Sequence, residues 1–256
     1  MKSVKLKYLL IRHASGVNNS KILDVKSEED KLQAYVDAKG IEKLHAMIKI
    51  KDFEIRAFVI NIENKVLCVP EPHPVVLYYA SACSLSDGVS KLRLDTISEC
   101  IKWLGDVHKQ LQSFSNFYVS FTSFLTHLYN SVESFMNYII PKDYVDSIEI
   151  KVKGVRKFPD REDIQRWVKF KDKFDRILPS IHGRKFDSYA KEIKLIYELK
   201  ELRDSIMHTK FDIDSPATPY SPLFRAALNF EFVAALEAVE IFINHFEPGL
   251  IEYVES

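Results

Sequence analysis

The sequence predicts an α+β protein, a small N-terminal α/β module followed by an antiparallel helical bundle. Two patterns and one composition carry that prediction. Apolar side chains alternate with period two in parts of the first third of the chain, and from Asp95 onward they recur every three or four residues. With 256 residues, 46% hydrophobic and 28% charged, the chain can bury a sizeable core, which excludes a disordered, collagen-like or low-complexity protein. The change of period sets the expected division into residues 1–92 and 93–256.

In the first part, Val4–Arg12 and Phe53–Ile62 read as strands, the second because Phe53, Ile55, Ala57 and Val59 alternate with Glu54 and Arg56. Between them, Ser27 and the acids that follow it open a helix. Gly40 marks a stop or a kink before Ile41–Ile50. Val66–Val69 and Val75–Ala80 read as further strands, separated by the breaker Pro70-Glu-Pro-His-Pro74.

In the second part, a helix over about 116–140 spaces Phe121, Leu125, Leu128, Val132, Phe135 and Ile139 alternately by four and three, a core stripe ended by Pro141. A second helix, Asp160–Leu178, starts on an Asp N-cap and stops at Pro179. A third, about Asp187–His208, aligns Leu195, Leu199, Leu202 and Ile206. A fourth starts at Ser221-Pro222 and buries Leu228, Phe232, Leu236, Val239 and Ile243. Four such helices joined by short connections predict an antiparallel bundle.

Charge and sulfur narrow the function classes. Lys and Arg total 36 against 36 Asp and Glu, so the protein is not a polyelectrolyte as a whole. Residues 151–185, however, hold 12 basic side chains against 5 acidic ones. Such a patch suits phosphates, and Arg166, Lys169 and Lys173 on the second helix are the expected nucleic-acid contacts, the plainer reading being a solvated helix face. Cys68, Cys83 and Cys100 form no CxxC pair and no His joins them in a tetrahedral pattern, so reduced thiols and no metal are expected. No Gly-rich phosphate loop is present, and no cofactor is expected. The basic start Met1–Lys7 is followed by only Tyr8–Ile11, too short for a signal-peptide core, and no apolar run approaches the ~20 residues of a membrane helix. A cytoplasmic protein without a membrane partner is the expectation.

Chemistry concentrates at the end of the third helix, in Leu202-Arg203-Asp204-Ser-Ile-Met-His208. Asp204 and His208 are four apart, so on an unbroken helix the carboxylate can orient the imidazole. A guanidinium presents fixed donors that suit phosphate oxygens, and imidazoles exchange protons near neutral pH. The trio suits phosphodiester cleavage. The plainer alternative has Arg203 holding a carboxylate and His208 complementing the helix C-terminus.

An Arg-x4-His motif at the end of the third of four bundle helices resembles the HEPN superfamily. Ser131–Ile139, with Glu133, is similar to the Glu-containing opening helix of such domains. The resemblance covers about residues 114–247 and implies a HEPN-like bundle, a homodimer that faces two motifs across a shared cleft, and a metal-independent endoribonuclease of a defence or toxin system, with RNA as partner. By the same resemblance, His208 promotes attack of a ribose 2′-OH, Arg203 stabilises charge on the phosphoryl oxygens and Asp204 positions one of them. The alternative is a non-catalytic HEPN-like module binding nucleic acid, nucleotide or protein. Asp204 and Thr209 depart from the family's usual Asn and Gly, and a carboxylate beside a phosphate costs electrostatic energy. The N-terminal module lies outside the resemblance and is open to a partner protein.

Two further signals are set aside. Arg176 and His182 repeat the spacing loosely, but Pro179 falls between them. Leu9-Leu-Ile-Arg12-His13-Ala14 resembles the opening motif of histidine phosphatases, yet the piece resembling their second motif, Ser221–Ala226, lies at the wrong end of the chain.

Overall fold

A computed structural model describes residues 3–8, 45–50, 53–63, 65–102, 105–187, 189–208 and 220–254. The chain divides into two compact units, one of Leu6–Leu77 and one of Tyr78–Ser256 together with the residues up to Lys5. The division therefore falls at 77/78, ahead of the expected 92/93. The α+β class holds, with antiparallel strands in two small sheets beside a larger share of helix.

The first unit is built on a three-stranded antiparallel meander, β1 (His45–Ile50), β2 (Phe53–Ile62) and β3 (Lys65–Pro70), in spatial order β1-β2-β3. Ile48 lies opposite Ile55, and Val59 opposite Cys68. Period two decides the faces of the central strand: Ile55, Ala57 and Val59 are buried, while Arg56 and Phe58 face outward. Pro70 ends β3, an edge strand, where its missing N–H costs no ladder bond. Outside the sheet, Arg56 pairs with Glu71 at 3.0 Å.

The strand Phe53–Ile62 is found with its expected bounds, and Val66–Val69 lies within β3. The stretch after Gly40 contains β1, all six residues of which pair with β2. One expectation fails. Val75–Ala80, expected as a strand, opens a helix instead. The strand expected at Val4–Arg12 shows only isolated bridges at Val4 and Tyr8 among its described residues, and the helix expected from Ser27 lies outside the described residues.

That opening helix is α1 (Pro74–Cys100), with Pro74 in its first turn, where a proline fits without loss. Val75, Val76, Tyr79, Ala82 and Cys83 are all buried, a stripe of helical period. Six residues rich in β-branched and aromatic types favour a strand locally, and packing of the full-length stripe overrides that preference. Within the second unit, the Tyr79 hydroxyl donates to the Leu236 carbonyl at 3.2 Å and lies 3.0 Å from the Tyr253 hydroxyl. Farther along, the Thr96 hydroxyl donates to the Ser113 carbonyl, and Arg93 to that of Phe230.

α2 (Val107–Tyr138) is the axis of the bundle. Asp106 caps it by accepting from the backbone of His108 and Lys109. Phe121, Leu125, Leu128, Val132 and Phe135 of the expected stripe are fully buried. Ile139 is the C-cap and only half-buried, its place in the core taken by Ile140.

After α2 the chain makes an excursion through a short hairpin, β4 (Ile150–Val152) with β5 (Val155–Lys157), into α3 (Arg161–Trp167), α4 (Phe170–Asp172), a π-turn at Lys173–Ile177 and α5 (Leu178–His182). Asp160 caps α3 as expected. The single helix expected over Asp160–Leu178 is broken, because Val168 and Lys169 adopt extended backbone and let Val168 and Phe170 turn inward. Pro179 does not end the run. It sits in the first turn of α5, and the run closes instead at Gly183, whose φ of 65° suits glycine.

α6 (Ala190–Met207) packs against α2 and α8 (Phe232–Phe246), and α7 (Tyr220–Leu228) packs against α2 and α6. The expected fourth helix is thus two, interrupted at Asn229–Glu231, with Phe230 buried in the break. Phe232, Leu236, Val239 and Ile243 are buried, and Leu228 is half-buried. Aromatic pairs link the layers, Phe124 to Phe232 at 5.2 Å and Phe135 to Phe242 at 5.6 Å between ring centroids. Among the described residues no helix is long and apolar enough to cross a membrane.

Candidate functional site

α6 delivers the expected motif residues, and its packing decides which way each faces. Ile196 and Leu199 are buried against the bundle. Leu195 and Leu202, expected beside Leu199 in the core, line instead an open groove of about 500 Å3 shared with Leu223 and Phe230. The buried face therefore runs through Ile196, Leu199 and Arg203 rather than through the leucine stripe.

Arg203 follows that face inward. Its guanidinium carbon stands 4.6 Å from the centroid of the Tyr129 ring of α2, a stacking of cation on aromatic face. Its Nη1 donates to Asp204 Oδ1 at 2.9 Å, and its Nε is buried with no hydrogen-bond partner among the described residues. Lys200, one turn back, meets Asp204 Oδ2 at 3.0 Å and Glu201 at 2.9 Å. Burial pushes the Asp204 carboxyl up, but the hydrogen bonds from Arg203 and Lys200 outweigh it and hold it below the ordinary carboxylate range. Hydrogen bonds to Glu201 and Asp204 push Lys200 up. Burial pushes the Tyr129 hydroxyl up to about 12.

His208 is the C-cap of α6 and is exposed. Its backbone N–H donates to the Asp204 carbonyl at 3.0 Å. The expectation that the Asp204 side chain would orient the imidazole is corrected by this geometry, because both carboxylate oxygens are engaged by cations. Five helical steps separate Arg203 from His208, about 140° around the axis, so the two sit on different sides of the rod.

The expected nucleic-acid contacts divide. The side chains of Arg166 and Lys169 are exposed and make no hydrogen bond or ion pair among the described residues. Lys173 is buried, and its Nζ donates to Asn137 Oδ1 at 2.8 Å and to the Gln165 carbonyl at 3.0 Å. Burial pushes its ammonium below the usual lysine range, partly opposed by Glu133. Lys173 is therefore corrected from a phosphate contact to an interior strut that ties the excursion to α2.

Sequence reasoning missed Lys200 and Tyr129. Lys200 was findable, since it stands four residues before Asp204 on the same helix. Tyr129 carried no signal, as it stands beside the apolar stripe like several other aromatic residues of α2. Glu133, one turn after Tyr129, acts electrostatically on both the Tyr129 hydroxyl and the Lys173 ammonium.

The looser motif copy is structural. Arg176 pairs with the buried Asp146, and the His182 ring packs 5.2 Å from that of Phe246, where burial lowers its pKa. Arg12 and His13 lie outside the described residues. Among the described residues no group of three or more His, Cys, Asp or Glu is placed to hold a metal ion, and Cys83 is buried, Cys68 half-buried and Cys100 exposed. Comparison of the chain with protein-family models, with curated proteins and with solved structures finds no match.

Proposed function

We propose that the chain is a HEPN-like, metal-independent endoribonuclease that works as a homodimer. One observation carries the reading: the Asp204 carboxylate, which would repel an RNA phosphate, is covered on both oxygens by Lys200 and Arg203, one turn ahead of the exposed His208. The electrostatic objection to an Asp at this position is thereby met.

In this mechanism His208 accepts the proton of a ribose 2′-OH as the 2′-oxygen forms a bond to the adjacent phosphorus. The bond from phosphorus to the 5′-oxygen breaks, that oxygen takes a proton from solvent water as it leaves, and His208 returns the 2′-OH proton to solvent. The products are a 2′,3′-cyclic phosphate and a 5′-OH end. Since Arg203 and His208 of one chain sit on different sides of α6, it is Arg203 of the second copy, facing the same cleft in the homodimer, that supplies positive charge to the phosphoryl oxygens. Asp204 acts as a positioning residue, fixing Arg203 from the side while Tyr129 fixes it from beneath.

Labelled RNA incubated with purified protein and excess chelator is expected to yield cyclic-phosphate ends. His208→Ala is expected to abolish them with the melting temperature preserved, and cleavage retained by that variant overturns the mechanism. A second reading, a non-catalytic module that holds RNA, nucleotide or a partner protein, is favoured by the sealed Nε of Arg203, since a packed guanidinium suits holding a shape. It predicts RNA binding without new ends in the wild-type protein.

A further inference from the structure

The β4–β5 hairpin carries Lys151, Lys153, Arg156 and Lys157 and no acid between Ile150 and Phe158. Its register sets Lys151 directly opposite Arg156, and both are exposed. Like charges facing each other across an antiparallel pair oppose the pairing, and a ladder three residues long has little with which to offset them. The two-residue connection has φ of 48° at Lys153 and 91° at Gly154. Such a turn is suited to Asn-Gly, so a lysine in its first place is held in a backbone form it disfavours. Both features work against the hairpin as an isolated fold, and both present cations.

Beneath the hairpin lies a cavity of about 240 Å3 lined by Val152, Lys153, Lys157, Arg166 and Trp167 together with Asp160, Glu162 and Asp163. Two of these acids are already occupied, Asp160 as the cap of α3 and Asp163 with Lys157. Glu162 remains, an acceptor for an exocyclic amino group. Trp167 is 49% exposed and Phe158, next to the hairpin, 53% exposed, two large rings left in water among cations. The side chains of Lys151, Lys153, Arg156 and Arg166 make no hydrogen bond or ion pair among the described residues.

We infer that the hairpin and the cavity beneath it bind single-stranded nucleic acid, a base stacking on Trp167 while the backbone phosphates run from Arg166 and Lys153 at the cavity across the turn to Arg156 and Lys151 on the hairpin's outer face. Paired cations and free aromatic faces are together what an unstacked strand engages. An acidic peptide would use the cations and leave the rings wet. A duplex would hide the base faces. The inference rests on the ribonuclease reading and deepens it by naming the surface that holds the substrate apart from the residues that cut it.

Binding is read by fluorescence anisotropy with short fluorescein-labelled single strands of mixed sequence, RNA and DNA, in the His208→Ala protein so that the probe is not consumed. Trp167→Ala is expected to weaken binding roughly 5- to 150-fold, and Trp167→Phe to retain most of it. The double variant Lys151→Ala/Arg156→Ala is expected to flatten the slope of log affinity against log salt by about 0.7 for each lost phosphate contact. Circular dichroism and melting verify that each variant is folded. Binding and slope unchanged in both the Trp167→Ala and the double variant overturn the inference. So does tighter binding to a duplex of the same sequence, to phosphatidylserine vesicles or to polyglutamate than to the single strands. Hairpin-dependent binding with no cyclic-phosphate ends from the wild-type protein supports this inference while removing the cleavage reading.

Discussion

Arg176 and Arg203 each stand a short step ahead of a histidine on a helical segment, and their surroundings give them opposite meanings. The carboxylate that meets Arg176 comes from far along the chain, Asp146, whose side chain is 1% exposed. The one that meets Arg203 is its neighbour Asp204, 32% exposed and shared with Lys200. His182 packs on Phe246, while His208 stands in solvent at a helix end. A spacing of residue types thus becomes a structural tie or an available group according to the burial of its partner, which the spacing does not encode.

The largest way to test that contrast is Arg176→Met. It leaves the Asp146 carboxylate, 1% exposed, without its cation and is expected to destabilise by about 3 kcal/mol, read from urea unfolding. Asp146→Leu combined with Arg176→Met is expected to restore most of the loss, because no unpaired charge remains.

Asp204→Asn sharpens the other side. The folded carboxyl lies below its ordinary value, so the stability it adds is present above the unfolded pKa near 4 and is lost as pH falls through the folded value. The variant is expected to show a flatter decline of melting temperature below about pH 4 than the wild type. An equally steep decline would mean that the Lys200 and Arg203 contacts do not form in solution. The smallest effect is expected at His208→Ala, within about 0.5 kcal/mol in urea unfolding, since an exposed C-cap side chain carries little of the fold. A larger loss would make His208 structural after all and dissolve the contrast.

What was legible in the sequence follows the range of the forces involved. β2 and the core stripe of α2 could be read because burial on one face imprints its period on consecutive residues. The start of α1 could not, since Val75–Ala80 is strand-like over six residues and becomes helical only through contacts spread over a longer stripe. The site was legible to the same degree. Arg203, Asp204 and His208 were found by type and spacing, and Lys200 stood within reach of the same reasoning. Lys173 was misread because a lysine is ordinarily a surface residue. Its burial depends on Asn137 and Gln165, which solvate it from the end of α2 and from the neighbouring helix α3. The orientation of Arg203 likewise depends on Tyr129, more than seventy positions away.

The π-turn at Lys173–Ile177 amounts to one residue too many for an ordinary helical coil. Four residues of an ordinary helix turn through nearly the same angle, so removal of a single residue there would re-form a regular coil and displace the side chains within the turn rather than those beyond it. Arg176 would lose its grip on Asp146, and Phe174 its stacking on Phe242. This stretch therefore depends on its length as well as on its buried residues.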